Sequence, residues 1–384
     1  MVATHKRAML IALGVLVSAT AVAYLVWGMR GQWGQMGAAF KEANYLYLVP
    51  AVGLIAVAYA LRILRWHVFL SPIAAVPYGA ITSATCIGFM ASCVLPLRPG
   101  EIIRPYVLHR RSGISFGHAA GTAPGLERVF DMIGVCFLLL LTWLALWAYV
   151  AQAEQRADAA PVAPAQAPGA GLSAGQRAHE AEDAQLVEFA REVAQKGVYF
   201  AVLVAVGLGV LGAAAFFPSL MLRAAELLMW PLPRAWRQGL MRLVRPMVQS
   251  LGFLKSPGRV AAAMLLSFGI WACYPVSTYV LARGFGLDLP LAGALVTQSL
   301  ITAAVAPPQA PGFIGLFQGA AQKGVQAFHV STGDAMAFAM MLWAIHVVPI
   351  TVVGLWYLRS EQLSLKGLAQ ASERAAQRAG ATGT

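Results

Sequence analysis

The sequence predicts an all-α polytopic membrane protein with about six full transmembrane helices and two re-entrant helical hairpins in an inverted repeat. Three observations predict it. Hydrophobic residues make up 59% and charged residues 11% of 384 positions, too little polar surface to keep a soluble domain dispersed in water. Apolar runs of about 20 residues, long enough to cross a bilayer, alternate with short basic loops. Two of the apolar runs break at a proline–glycine knot, one from Leu95 to Glu101 and one from Ala306 to Gly312. Proline removes a backbone donor and clashes with the preceding turn, while glycine permits close backbone approach, so each knot ends one helix and begins another. Broken backbone at membrane depth survives only where protein buries it or a wet cavity receives it, and paired broken segments mark transporter sites.

The formal net charge of +12 suggests nucleic acid only in a soluble chain. Here the basic residues flank apolar spans, where they set topology and meet anionic lipid, so no nucleic-acid partner is expected. Cys86, Cys93, Cys136 and Cys273 all fall in apolar stretches without metal-ligand spacing, which predicts free buried thiols, no metal and no cofactor.

His5, Lys6 and Arg7 precede span one, Met9 to Gly28, read as a retained anchor because the apolar run continues past the signal-peptidase-like Ala21 to Ala23. Span two covers about Tyr45 to Leu64 and closes in Arg62, Arg65, Trp66 and His67, a basic and aromatic border typical of a cytoplasmic interface. The hydroxyl-rich stretch from Tyr78 to Leu95 leads into the first knot. A full crossing would put four basic residues against one acid, from 96 to 111, on the outside, so a hairpin over 78–118 entering from the cytoplasm is expected instead. Span three runs from about Gly125 to Val150 and completes a first repeat over 1–150.

Residues 151–196 hold seven Asp or Glu against four Lys or Arg and read as an extracytoplasmic insertion, a flexible linker followed by a polar surface helix. The second repeat, 197–358, opens with span four, Val198 to Phe217. Between 218 and 259 seven Lys or Arg face one acid, which assigns the segment to the cytoplasm, with an amphipathic surface helix over 218–252. Span five covers Val260 to Ala282, a second hairpin occupies 289–329 and enters from outside, and span six covers Ala335 to Leu358. The tail, 359–384, is basic, so both termini are expected in the cytoplasm of a bacterial inner membrane.

Charge at membrane depth is expensive, so a cluster beside a break calls for partners or a wet cavity. Arg98, Glu101 and Arg104 form such a cluster at the first knot. A helix starting near Pro99 puts Glu101 in its first turn, where free amides favour an anion and leave Arg98 available for a phosphate. Glu127, Arg128 and Asp131 open span three, with Glu127 and Asp131 on one helix face. Two readings stand: an ion-pair network that clamps the hairpin to span three, or an arginine site for an anionic headgroup that opens when the pairs exchange. Arg62 and Arg65 more often snorkel to the interface than bind substrate. Pro96, Pro99 and Gly100 of the first knot, and Pro307, Pro308, Gln309, Pro311 and Gly312 of the second, are the hinge or gate residues. His346 inside span six reads as a histidine bonded to a neighbouring helix sooner than as a functional one.

These features resemble the transmembrane-domain family of lysylphosphatidylglycerol synthase, a flippase-like group. The resemblance rests on Arg62-x-x-Arg65-Trp66, on Leu95-Pro96 with Arg98, Pro99, Gly100, Glu101 and Arg104, and on Glu127-Arg128-x-x-Asp131. Pro308-x-x-Pro311-Gly312 followed by Gly315 and Phe317 completes it. It implies lipid translocation across the cytoplasmic membrane with the two hairpins forming the site. Two positions depart from the family: Phe313 follows the second Pro-Gly where a further glycine is common, and Gln318 replaces a common acidic residue, which removes a carboxylate suited to proton coupling. The chain carries no aminoacyl-transferase domain, so lysine transfer is not expected.

The expected function is therefore a lipid flippase or transporter moving a phospholipid or polyprenyl-linked lipid, with membrane lipids of anionic headgroup as partners. The alternative is a noncatalytic membrane partner of a lipid-modifying or glycosyl-transferring enzyme. Catalysis is not expected, because phosphatase, lipid-transferase and HExxH patterns are all missing from the sequence.

Overall fold

The computed structural model describes residues 30–95, 99–159, 218–230, 251–306 and 311–363, with positions 20, 23, 27 and 241, and no strand occurs among them. In chain order the helices are α1 (Trp33–Glu42), α2 (Leu48–Leu70), α3 (Tyr78–Val94), α4 (Gly100–Ser112), α5 (Phe116–Ala120) and α6 (Glu127–Ala159). They continue with α7 (Pro218–Leu228), α8 (Pro257–Gly284), α9 (Leu291–Val305), α10 (Leu316–Gln326) and α11 (Thr332–Ser360). A π-helical turn, Gly121–Leu126, joins α5 to α6.

Among the described residues, four stretches are long and apolar enough to cross a membrane: Tyr45–Leu70, Phe116–Tyr149, Pro257–Gly284 and Thr332–Ser360. They correspond to expected spans two, three, five and six. Large apolar side chains stay exposed along them, Trp147 by 67%, Val352 by 60% and Trp356 by 63%, faces that suit lipid and not water. The chain is a multi-pass membrane protein. Span four, most of span one, residues 160–196 and the tail from 364 lie outside the described residues, as do Pro96, Arg98, Pro307, Pro308 and Gln309.

Each knot joins two short helices that fold back on one another. At 1.5 Å per residue α3 is about 25 Å long and α9 about 22 Å, both short of a hydrocarbon core of about 30 Å. Small residues bring the arms together. Gly88 of α3 lies against the stem of Arg104, and Gly100 at the start of α4 lies against the Gly88 carbonyl and Ser92. In the second hairpin, Gly324 of α10 meets Thr297 of α9. Gly113, with φ of 70°, ends α4 in a left-handed cap.

The hairpins are entered from opposite ends of the molecule. Helices α2 and α8 run antiparallel, with the Ser277 hydroxyl donating to the Ala51 carbonyl at 3.0 Å and Arg65 Nη1 to Ser267 Oγ at 2.8 Å. Because α3 follows the end of α2 and α9 follows the end of α8, the two hairpins start at opposite ends of this pair. Each then rests on a long helix of the other half. Gly354 of α11 packs on Met90 and the Cys86 carbonyl of α3, and Glu361 just beyond α11 accepts from Ser83 at 2.9 Å. Thr142 of α6 shares a 2.9 Å hydroxyl contact with Ser299 of α9.

Several boundaries differ from expectation. Helix α2 runs on to Leu70, because the segment after Leu64 packs Trp66, Phe69 and Leu70 into the core in place of an interfacial border. Helix α6 continues to Ala159, into the stretch expected to be flexible linker, since nothing between Val150 and Ala159 breaks a helix. Cys136 is only partly buried, unlike the other three cysteines.

The close approach of α11 to α3 makes a specific demand. Gly354→Leu should lower stability by about 1–3 kcal/mol, since the added side chain overpacks a well-filled contact. Thermal unfolding in detergent checks this, and an unchanged midpoint would contradict the packing.

Candidate functional site

Glu127 is the first residue of α6, and it is delivered to the interior by the π-helical turn before it. Pro124 interrupts the regular hydrogen-bond ladder there, and Thr122 accepts from Trp66 Nε1 at 3.0 Å, which ties the turn to α2. Asp131 follows one turn later on the same face. Opposite them on α2, Arg62 and Arg65 also point inward, being 8% and 0% exposed. Arg65 Nη2 donates to Asp131 at 2.8 Å and to Glu127 at 3.2 Å, and its Nη1 donates to Ser267 of α8. Arg62 makes longer contacts, 3.4 Å to Asp131 and 3.6 Å to Glu127, and its Nη2 reaches the Tyr274 hydroxyl at 3.3 Å.

The first hairpin supplies the fifth member. Arg104 of α4 donates from Nη1 to Glu127 Oε2 at 2.6 Å. Its guanidinium lies 4.5 Å from the Trp66 ring centroid and 4.9 Å from that of Phe89, so two aromatic faces flank it. Three guanidinium groups therefore share two carboxylates, which among the described residues leaves one positive charge without a counter-charge. The surplus has a location. Arg104 is 7% exposed, and its Nε and Nη2 are buried without a hydrogen-bond partner, as is Arg65 Nε. Burying an ion costs several kcal/mol unless it is paired, so this edge of Arg104 suits an anion with two acceptor oxygens.

The second knot closes over the same region. Gly312, Phe313 and Gly315 have φ of 72°, 57° and 90°, so the chain turns through three left-handed positions. Trp343 Nε1 of α11 donates to the Gly312 carbonyl at 2.6 Å. Phe313 packs into a cluster with Cys86, Cys93 and Ile350 that includes Phe89, the ring beneath Arg62 and Arg104.

The expected charged cluster at the first knot divides in two. Arg104 turns inward to Glu127, whereas Glu101 pairs with Arg128 in a half-exposed bridge at the surface. Arg98 lies outside the described residues. Arg62 and Arg65, expected to snorkel, are instead buried by the extension of α2 and pair with the carboxylates of α6. His346 bonds its own helix and not a neighbour: Nδ1 faces the Leu342 carbonyl at 2.7 Å, and the ring stacks on Tyr274 at 5.8 Å. Ser267 and Tyr274 join the site unannounced. Their spacing of seven places both on one stripe of an otherwise apolar span, and that was the available signal.

Buried charge where the first hairpin meets two long apolar helices defines a polytopic membrane protein with an interior polar site. The model of the lysylphosphatidylglycerol synthase TM region matches residues 11–175 and 181–354, and the chain belongs to that family. No curated protein and no solved structure matches it.

The charge count predicts an asymmetric mutant cycle. Glu127→Gln removes the acceptor shared by Arg65 and Arg104 and should cost about 3–5 kcal/mol. Adding Arg104→Met to that change removes the stranded cation and should restore much of the loss. Unfolding of the two variants in micelles reads the difference, and equal or additive losses would contradict the pairing.

Proposed function

We propose that the chain is a lipid flippase or transporter, moving a phospholipid or polyprenyl-linked lipid between the leaflets of a bacterial cytoplasmic membrane. One observation carries this reading: a buried arginine–carboxylate cluster with one surplus positive charge, held between the first hairpin and the long helices. A purely structural clamp is better balanced, because an uncompensated buried ion destabilises the fold. A site that receives an anionic headgroup gains its counter-charge when the lipid arrives. In this reading Arg104 and Arg62 hold the headgroup, Arg65, Glu127 and Asp131 position them, and the knots at Pro99–Gly100 and Pro311–Gly312 act as hinges.

Family membership supports a membrane role, and the hairpins that begin at opposite ends of the α2–α8 pair support an inverted repeat, an architecture of alternating access. Exposed Arg110, Arg111, Lys255, Arg259 and Arg359 gather at the end where α2 finishes, which supports a cytoplasmic assignment for that end. The reading involves no covalent step.

In proteoliposomes with fluorescent lipids, the protein should accelerate leaflet exchange of an anionic lipid, and Arg104→Ala should reduce that rate by about tenfold or more. No protein-dependent exchange of any anionic or polyprenyl lipid would sink the reading. In a cysteine-free background, single cysteines at Ser71 and Asp288 should react with impermeant reagent from opposite faces. Labelling of both from one face would overturn the inverted arrangement.

A further inference from the structure

The second hairpin differs chemically from the first. No Asp or Glu occurs between Leu289 and Gly333, yet the hairpin buries amides among apolar and hydroxyl side chains. Gln298 of α9 is 5% exposed, its Oε1 is buried with no hydrogen-bond partner, and its Nε2 reaches Thr302 Oγ1 only at 3.5 Å. Gln318 at the start of α10 is 8% exposed and accepts from the Gly315 amide at 2.8 Å. The hairpin connects to the cation cluster through side chains. Arg62 meets the Tyr274 hydroxyl, Tyr274 stacks on His346, and His346 lies 5.6 Å from Phe317, the residue before Gln318.

An orphaned carbonyl oxygen asks for a donor. A hydroxyl answers it without charge and can accept a bond in return. An ammonium also donates, but it would be buried in a hairpin without carboxylates, beside a cluster that is already positive. The surplus at that cluster is one charge, which matches a phosphodiester. We propose that Gln298, Thr302 and Gln318 form a neutral subsite for an uncharged, hydroxyl-bearing headgroup whose phosphodiester is held by Arg62 and Arg104. The proposal rests on the lipid-transport reading and narrows its substrate. Two sources share this chemistry: a glycerophospholipid with a polyol head, and a polyprenyl phosphodiester of a sugar.

Four fluorescent lipids test it in proteoliposomes. They are phosphatidylglycerol, a polyprenyl phosphoryl glucose, phosphatidylmethanol with the same charge but no hydroxyl, and phosphatidylethanolamine with an ammonium. At least one hydroxylated monoanion should exchange about tenfold faster than the last two, and the faster of the pair identifies the source. Gln298→Leu should bring that lipid down to the phosphatidylmethanol rate and leave phosphatidylmethanol unchanged, a selectivity change that general misfolding does not produce. Equal rates for all four, a faster phosphatidylethanolamine, or a variant that slows every lipid alike would overturn the subsite. If no lipid exchanges, the transport reading falls, and binding of the same four lipids to detergent-solubilised protein decides the subsite. A Gln298-dependent preference for a hydroxylated lipid upholds it, and equal retention overturns it.

Discussion

Five charged side chains, four of them buried and Asp131 nearly so, govern the interior of this protein. Arg62, Arg65 and Arg104 converge on Glu127 and Asp131, and the local structure around them serves that convergence. Gly88 lacks a side chain because the stem of Arg104 passes over it, and a methyl group there would overlap that stem. Trp66 and Phe89 present ring faces to the guanidinium where the described residues offer no further carboxylate. The π-helical turn before α6 changes the helical phase so that Glu127 faces α2 instead of lipid, and the bond from Trp66 to Thr122 holds that phase. The cost of unpaired charge in a low-dielectric interior makes these features mutually dependent.

The small residues of the hairpins follow from a different shortage. Apolar packing gains little when lipid is the alternative, so close backbone contact and hydrogen bonds hold transmembrane helices together. Gly88 with Gly100, Gly324 with Thr297, and Gly354 with Met90 each allow such an approach. The hydroxyl contact between Thr142 and Ser299 adds a polar tie between the halves. Phe313 is the exception. It occupies a left-handed position that a glycine would fill without strain, and its ring fills the cluster around Cys86, Cys93 and Phe89.

Much of the architecture was legible because hydropathy and loop charge act locally along the chain. The four observed spans, the helix start after Pro99 and the pairing of the two breaks all follow from such signals. Tertiary burial decided what was missed. The motif Arg62-x-x-Arg65-Trp66 reads as an interface, because its residues have that character one at a time. Only the carboxylates of α6, more than sixty positions away, make burial tolerable. Likewise Glu101 and Arg104 are three apart and neighbours on one helix, yet their partners on α6 divide them, Arg104 turning inward to Glu127 and Glu101 outward to Arg128. Ser267 and Tyr274 were weak signals, since hydroxyls in apolar helices often bond only their own backbone.

The division of charge among the elements bears on how such a site could open. Arg62 and Arg65 belong to α2, and Glu127 and Asp131 to α6, so the two long helices carry a neutral set of two cations and two anions. Arg104 alone of the five belongs to the hairpin, and it brings the surplus charge. If the chain moves lipid as proposed, a hinge motion at Pro99 and Gly100 breaks one buried ion pair, between Arg104 and Glu127, together with the half-exposed Glu101–Arg128 bridge, and leaves the four buried charges of α2 and α6 balanced by one another. An anion bound on the free edge of Arg104 neutralises the one buried charge that the hairpin carries. Among the buried charges, electrostatics then favours movement of the loaded hairpin over the empty one, because only the loaded form avoids stranding a buried cation, whereas the half-exposed Glu101 and Arg128 are screened by solvent.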